Sequence, residues 1–230
     1  FKQKTAYEIS TRDWSSDVCS SDLGERVVLR APVFADHAEW ATLRERSRDF
    51  LAPWEPIWPP DDLDRTAFRR RIERYDQEVR DGVAYPFFVC AADTGAIVGG
   101  LTLAQVRRGV TQAGTIGYWM GAAHAGRGLM SEAVGLLATW SFGKLELHRI
   151  EAACLPDNVR SIRLLQKVGF TWEGHARRYL CIAGRWRDHL LWGLVAGDPL
   201  FPPEPRAEAD REPSPVGFES GRLVWPGIRR

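Results

Sequence analysis

Gly126-Arg127-Gly128 interrupts the apolar stretch "IGYWMGAAHAGRGLMSEAVGLLATW" (residues 116–140) where a helical pattern begins. A glycine-bearing turn that opens straight into a helix offers one kind of chemistry. The first-turn N–H groups of a helix lack intrahelical acceptors and carry a partial positive charge, so they attract an anion. Glycines let the backbone approach that anion with no Cβ in the way. The competing reading is a plain strand-to-helix turn. Downstream, Asn158-Val159-Arg160-Ser161 puts an N-capping residue one turn before a hydroxyl. Glu173 stands alone in "TWEG", and "FLAPWEPIW" gathers Trp54, Glu55 and Trp58 between prolines. In "GRWRDHLLW", Trp186, Arg187, Asp188 and His189 suggest a triad, but the G-x-S-x-G elbow of a Ser-His-Asp hydrolase is missing.

Two known anion loops can be tested directly. A P-loop is excluded, since no Lys-Ser or Lys-Thr follows the glycines. Gly126-x-Gly128-x-x-Ser131 nearly fits a dinucleotide fingerprint, with Glu146 and Glu151 about 20 residues on. Against it, the third glycine is absent, and only one strand–helix–strand unit contains the turn.

The elements that would position these residues follow from hydrophobic period and breakers. "ERVVLRAP" reads as a strand closed by Pro32. "ADHAEWATLRERSRDF" reads as a helix with Asp36 as N-cap. "DDLDRTAFRRRIERYDQEVRDG" is a second helix with acids in its first turn, a stripe of Leu63, Phe68, Ile72, Tyr75 and Val79, and a stop at Gly82. "VAYPFFVCAADTGAIVGGLTLAQV" gives two strands turning at Asp93-Thr94-Gly95, and "GTIGYWM" a third. The glycine-led helix comes next. "LHRIEAACL" is a strand, "DNVRSIRLLQKVGF" a helix ended by Gly169, and the segment from Phe170 a hairpin turning at Gly184. The order β-αα-β-β-β-α-β-α-β-β describes an α/β chain whose mostly antiparallel meander precedes one strand–helix–strand unit.

Composition sets the outer bounds. The 230 residues are 44% hydrophobic, enough for one sizeable core. A net charge of +1 gives no field that would draw nucleic acid or a membrane surface. Four cysteines form no C-x-x-C pair, so neither a metal site nor a disulfide framework is indicated; Cys90, Cys154 and Cys181 read as small core residues in a reducing, cytoplasmic setting. Residues 1–23 show no periodicity and no signal-peptide pattern, and resemble translated sequencing-adapter read-through. They are expected to be disordered, as is the Pro- and charge-rich tail, residues 198–230. Residues 24–197 are left as one domain.

Several segments together resemble the GNAT acyl-CoA N-acyltransferase family. The family's pyrophosphate loop, Q/R-x-x-G-x-G/A, appears as Ala123-His124-Ala125-Gly126-Arg127-Gly128, with the first Gln/Arg missing. Its second signature appears as Asn158 to Ser161, ending at Gly169-Phe170. "FLAPWEP", "GRGLMSEA", "LPDNVRS" and "YLCIAGRWRDHLLW" are most similar to the RimJ/RimL group of ribosomal-protein N-terminal acetyltransferases, and to its RimJ branch.

The resemblance implies a central, mostly antiparallel twisted sheet, splayed at the cofactor site and flanked by helices. It implies acetyl-CoA as co-substrate, with no metal. The backbone of Trp119, Met120 and Gly121 would bind the pantetheine arm, with an N–H near Met120 as donor to the thioester oxygen. The N–H groups of Ala125, Gly126, Arg127, Gly128, Leu129 and Met130 would bind the phosphates. Arg127 adds a charge or faces solvent, and His124 beside the phosphates is not favoured as a base. Asn158 binds pantetheine, caps its helix, or both. Many family members carry a tyrosine acid where this chain has Leu165, so Ser161 takes the role of donor to the leaving thiolate. Glu173 is the candidate base, through water, or else a partner of an arginine such as Arg177. Trp54, Glu55 and Trp58 would line the acceptor cleft, Glu55 favouring an ammonium, unless that segment is only a proline-braced lid. A structural hairpin with a buried Arg–Asp pair is implied for "GRWRDHLLW". The implied acceptor is a protein N-terminus, the N-terminal alanine of a ribosomal small-subunit protein. The alternatives are a small-molecule amine acceptor and a non-catalytic acyl-CoA-binding module.

Overall fold

The computed structural model describes residues 26–202 and two short strands, residues 217–219 and 222–224. Expectations for residues 1–23 and for most of the tail lie outside these residues. The two short strands pair only with each other. Residues 198–202 continue the packed chain, with Phe201 donating its N–H to Val168 O and its ring lying against Gly135. The packed chain therefore runs five residues past 197.

Seven strands form one open sheet in the order β1-β2-β3-β4-β5-β7-β6. They are β1 (Val27–Arg30), β2 (Tyr85–Ala91), β3 (Ile97–Arg107), β4 (Ala113–Met120), β5 (Arg149–Cys154), β6 (Thr171–Ile182) and β7 (Arg185–Val195). All neighbours are antiparallel except β4 and β5. The parallel pair needs a crossover, which α4 (Leu129–Gly143) supplies. Strand β2, "YPFFVCA", is apolar in both alternating sets because both faces of the sheet are covered.

One face carries α4 and α5 (Val159–Val168). Met130, Val134, Leu137 and Trp140 of α4 pack with Leu29, Leu103, Ile150 and Leu194 of the sheet and with Leu165 of α5. The helix α4 is apolar almost all round, as a core helix must be. Trp140 stands edge-on to Tyr85 and Phe87, with centroids at 5.1 and 5.6 Å. The other face carries α1 (His37–Arg46), the single turn α2 (Arg48–Leu51) and α3 (Arg65–Arg80), over a smaller cluster of Trp40, Phe68, Phe88, Cys90 and Ile97.

Local readings hold where the backbone decides. Gly95, Gly169 and Gly184 take left-handed φ of +71°, +112° and +76° at the expected turns. Three readings are corrected. Asp36 does not cap α1; it lies in a 3-10 turn and spends its carboxylate on the Arg30 guanidinium and the Val33 N–H. The acids expected in the first turn of α3 precede it, where Asp61 and Asp62 reach forward to Arg70 and Arg71. Cys181 is exposed, on the part of β6 that pairs with β7 beyond the end of β5.

Candidate functional site

The parallel pair β4–β5 is the weak seam of the sheet. Residues 113–116 pair with 149–152, but β4 continues to Met120 and β5 to Cys154 with no pairing between them. The two strand ends therefore part. Beyond the split, alternation fixes which polar groups face the gap. Gly121 donates to Val98 O at 2.9 Å on β3, and Trp119 O lies beside Gly99. Residues two apart on a strand point their N–H and C=O the same way, so Trp119 and Gly121 face β3 while Tyr118 and Met120 face the gap. Of the three residues expected to line it through their backbone, only Met120 does; Tyr118 joins it, and Gly121 N–H is already spent.

Past Gly121 a short 3-10 turn leads to the glycines. Gly126 and Gly128 sit at φ +77° and +79°, a region that L side chains avoid. Nothing lies within 4 Å of a Cβ built on Gly126. The first hydrogen bond of α4 runs from Glu132 N–H to Gly128 O at 3.2 Å, so the N–H groups of Leu129, Met130 and Ser131 have no intrahelical acceptor. Ala125 is corrected: its N–H donates to Ala122 O at 3.3 Å. Arg127 is exposed.

Two further cations join it from distant segments. Arg26, just before β1, donates to Arg127 O at 3.1 Å and pairs with Glu132 at 2.7 Å. Lys167, at the end of α5, brings Nζ to 3.9 Å from where a Gly128 Cβ would stand. Neither carried a sequence signal, because only folding brings them to the turn.

The start of α5 closes the other wall of the gap. Asn158 caps the helix, its Oδ1 accepting the Ser161 N–H at 3.1 Å. Ser161 is buried, and its Oγ lies 2.5 Å from the Tyr118 hydroxyl across the parted strands. Burial pushes the Tyr118 phenol well above its ordinary pKa and raises that of the neighbouring Cys154 thiol. Leu165 is core, 0% exposed.

On the opposite face, β3 and β4 floor a cavity of about 310 Å³ walled by Trp40, Arg44, Glu55, Tyr75, Phe88 and Trp119. Arg44 is held bidentate by Glu55 at 2.8 and 2.7 Å, and its guanidinium lies 4.0 Å from the Trp58 ring and 5.0 Å from that of Trp119. Trp58 Nε1 also donates to Glu55, at 2.7 Å. Both Glu55 oxygens are committed, so the free carboxylate expected there is corrected to an internal ion pair. Trp58 supports that pair, and Trp54 stands outside the cavity lining.

The β6–β7 hairpin leans on this loop, with Ala183 N–H bonded to Glu55 O at 2.9 Å. The buried Arg–Asp pair expected in "GRWRDHLLW" does not form. Arg187 pairs with Asp157 at 3.0 Å, while Asp188 takes the Arg178 N–H and His175. His189 is buried against its neighbour's carbonyl, Arg187 O, and burial lowers its pKa.

Glu173 is the largest displacement from expectation. Its carboxylate is bidentate to Arg149, not to Arg177. Arg149 begins β5 at the closed end of the seam, whereas the strands part past Ala152 and Cys154 lies at the open end. Four residues of strand lie between Arg149 and Cys154, a span of about 16 Å, and those two side chains alternate to opposite faces. Ser161 and Glu173 are not brought together. Among the described residues no group of three or more His, Cys, Asp or Glu is placed to hold a metal, and no helix is long and apolar enough to cross a membrane.

Comparison with known proteins bears on this geometry. The family model described as "Acetyltransferase (GNAT) domain" matches residues 26–171. "Probable N-acetyltransferase YjcK" of Bacillus subtilis is 35% identical over 175 residues, covering 76% of this chain and 97% of that protein. The "[Ribosomal protein uS5]-alanine N-acetyltransferase" of Escherichia coli is 33% identical over 174 residues, covering 76% and 90%. Among solved structures, Mycobacterium smegmatis RimJ in complex with CoA-disulfide superposes with a TM-score of 0.71 at 35% identity, covering 74% of this chain and 82% of that one.

Proposed function

The chain belongs to the GNAT acetyltransferase family and is an acetyl-CoA-dependent N-acetyltransferase, and on that premise we propose that its acceptor is the N-terminal α-amine of a protein, the alanine of a ribosomal small-subunit protein. One observation carries the choice of acceptor: Glu55, the only carboxylate lining the cavity among the described residues, is neutralised by Arg44. A polyamine or an aminoglycoside needs acidic walls to hold its several cations. A single α-amine on a small residue needs none. The E. coli relative, named for uS5 alanine, agrees with this reading.

The residues present fit the co-substrate. Two left-handed glycines with open space at Gly126, the unpaired N–H groups of Leu129, Met130 and Ser131, and the cations Arg26, Arg127 and Lys167 suit a diphosphate. The backbone of Tyr118 and Met120 would bond the amide-bearing arm, with Asn158 at its side, and the Met120 N–H would donate to the thioester oxygen. Acetyl-CoA supplies an acetyl group activated as a thioester. Ser161 would donate a hydrogen bond to the departing sulfur. An α-amine titrates near 7.7–8.0, so a sizeable fraction is already neutral at pH 7.5 and water suffices to take its proton. No carboxylate base is required, and Glu173 is not assigned as one.

The test is acetyl transfer from acetyl-CoA to a peptide with the N-terminal sequence of a small-subunit ribosomal protein, against the same peptide N-acetylated and against spermidine. Transfer to the free peptide alone is expected. Turnover of spermidine without the peptide would overturn the acceptor. Cofactor binding with no turnover of any amine would leave a binding module.

A further inference from the structure

The opened edge of β4 is bridged by a side-chain pair that the sequence does not advertise. Tyr118 lies on the strand that has lost its neighbour, Ser161 one turn into α5, and their hydroxyls meet at 2.5 Å. A serine hydroxyl carries one hydrogen and can point it in several directions. Something must hold it if it is to serve one acceptor. Two hydroxyls in contact share a single donated hydrogen, so the direction of that bond decides which hydrogen is left over.

We propose that Tyr118 is a positioning residue for acetyl transfer, donating its phenolic hydrogen to Ser161 Oγ so that the Ser161 hydrogen is left to point into the β4–β5 gap at the sulfur of CoA. The inference rests on the acetyl-CoA reading of that gap. One observation sets the direction and two others hold the pair in place. The Ser161 main chain is clamped by the Asn158 cap, so its Cβ cannot swing away. Tyr118 has no other hydrogen-bond acceptor among the described residues, so the reverse direction would strand a buried phenolic hydrogen. The phenol is also kept protonated by burial. The other titratable group facing the pair is Cys154 of β5, 5% exposed and kept a neutral thiol by burial; its sulfur is within hydrogen-bonding reach of the Ser161 hydroxyl and of the Trp192 indole of β7, so it is the weak acceptor that the CoA sulfur would replace for the Ser161 hydrogen. An oxygen that accepts one hydrogen bond donates the next more strongly, so the phenol also sharpens Ser161 as a donor.

No bond is made or broken at Tyr118. In the transfer the amine nitrogen bonds to the acetyl carbon, the carbon–sulfur bond breaks with its electron pair on sulfur, and the amine proton leaves to water. The role of the pair is to stabilise the thiolate.

The bound thiol reports on this without any acceptor. In a pH titration of the CoA complex followed by thiolate absorbance, the free thiol value is near 8.5. We expect the wild-type complex to titrate about one unit lower, and Tyr118→Phe, which keeps the ring, to recover most of that shift. Ser161→Ala should recover all of it, and the double variant no more. Kinetically, Tyr118→Phe should lower kcat about tenfold with the acetyl-CoA KM unchanged, and should cost nothing further in the Ser161→Ala background. Ser161→Thr, which keeps a hydroxyl, should retain the effect of Tyr118 and covers the case in which the alanine variant folds poorly. A wild-type shift that Tyr118→Phe leaves intact, or an equal loss of kcat in both backgrounds, overturns this inference alone. A wild-type protein that binds no CoA overturns it together with the cofactor reading. Failure to acetylate the ribosomal peptide touches neither thiol measurement.

Discussion

The two faces of the split sheet are built from different materials. On the α4/α5 face the candidate cofactor site is mostly main chain: the gap-facing groups of Tyr118 and Met120, two left-handed glycines and the open first turn of α4. On the α1/α3 face the cavity is made of side chains that satisfy one another, with Arg44 from α1 locked to Glu55 and stacked between Trp58 and Trp119. A main-chain site depends on conformation and tolerates many side chains. A side-chain site depends on every partner being present.

Four substitutions would break or sharpen that contrast. The largest effect is expected at Glu55→Gln, which leaves the Arg44 guanidinium buried without its counter-charge. We expect about 3 kcal/mol of lost stability by denaturant unfolding and a weaker acceptor KM, with acetyl-CoA affinity within about twofold. An equal fall in cofactor affinity would mean the two faces are one unit. Next comes Gly128→Val, which forces a β-branched residue to φ +79° and sets bulk over the anion turn. Acetyl-CoA binding by calorimetry should weaken about 100-fold, combining strain with lost approach. Unchanged affinity would show that the turn is only a connector. Ser161→Ala follows, with kcat down about tenfold to 100-fold and both KM values steady; a change confined to KM would make Ser161 a binding group. The smallest is Glu173→Gln. An exposed ion pair contributes under about 1 kcal/mol, so stability and kcat should move little. A large kcat loss with an altered pH profile would return Glu173 to the role of base.

The same division governs what could be read in advance. The strand order along the chain, the glycine turns and the N-cap of α5 were legible because each is set within a few residues: period, φ > 0, or a side chain reaching its own helix. Residues carried over one at a time fared unevenly. Met120 ends the parted strand β4, Gly126 and Gly128 are left-handed, and Asn158 caps α5. Gly121 and Ala125 spend their N–H groups inside the fold, since a residue type does not say which way its amide points.

Charged side chains were the least legible. Glu55, Glu173, Asp36 and Asp188 each bind a partner other than the one expected of them, at a distance along the chain that runs from a few residues to about two dozen. Long side chains reach whatever opposite charge the fold brings near. Only the folded sheet supplies that neighbour.

The sequence by itself determined that the chain alternates strands and helices around one core, that a helix opens on a glycine-bearing turn, and that a hydroxyl follows a capped start one turn later. Only the tertiary structure decided that β4 and β5 part after four paired residues, that Tyr118 meets Ser161 across the opening, and that Glu173 belongs to the closed end of the seam. Period and backbone preference act over one or two turns of chain, whereas a gap between strands and the pairing of a charge depend on elements that meet only when the whole sheet has formed.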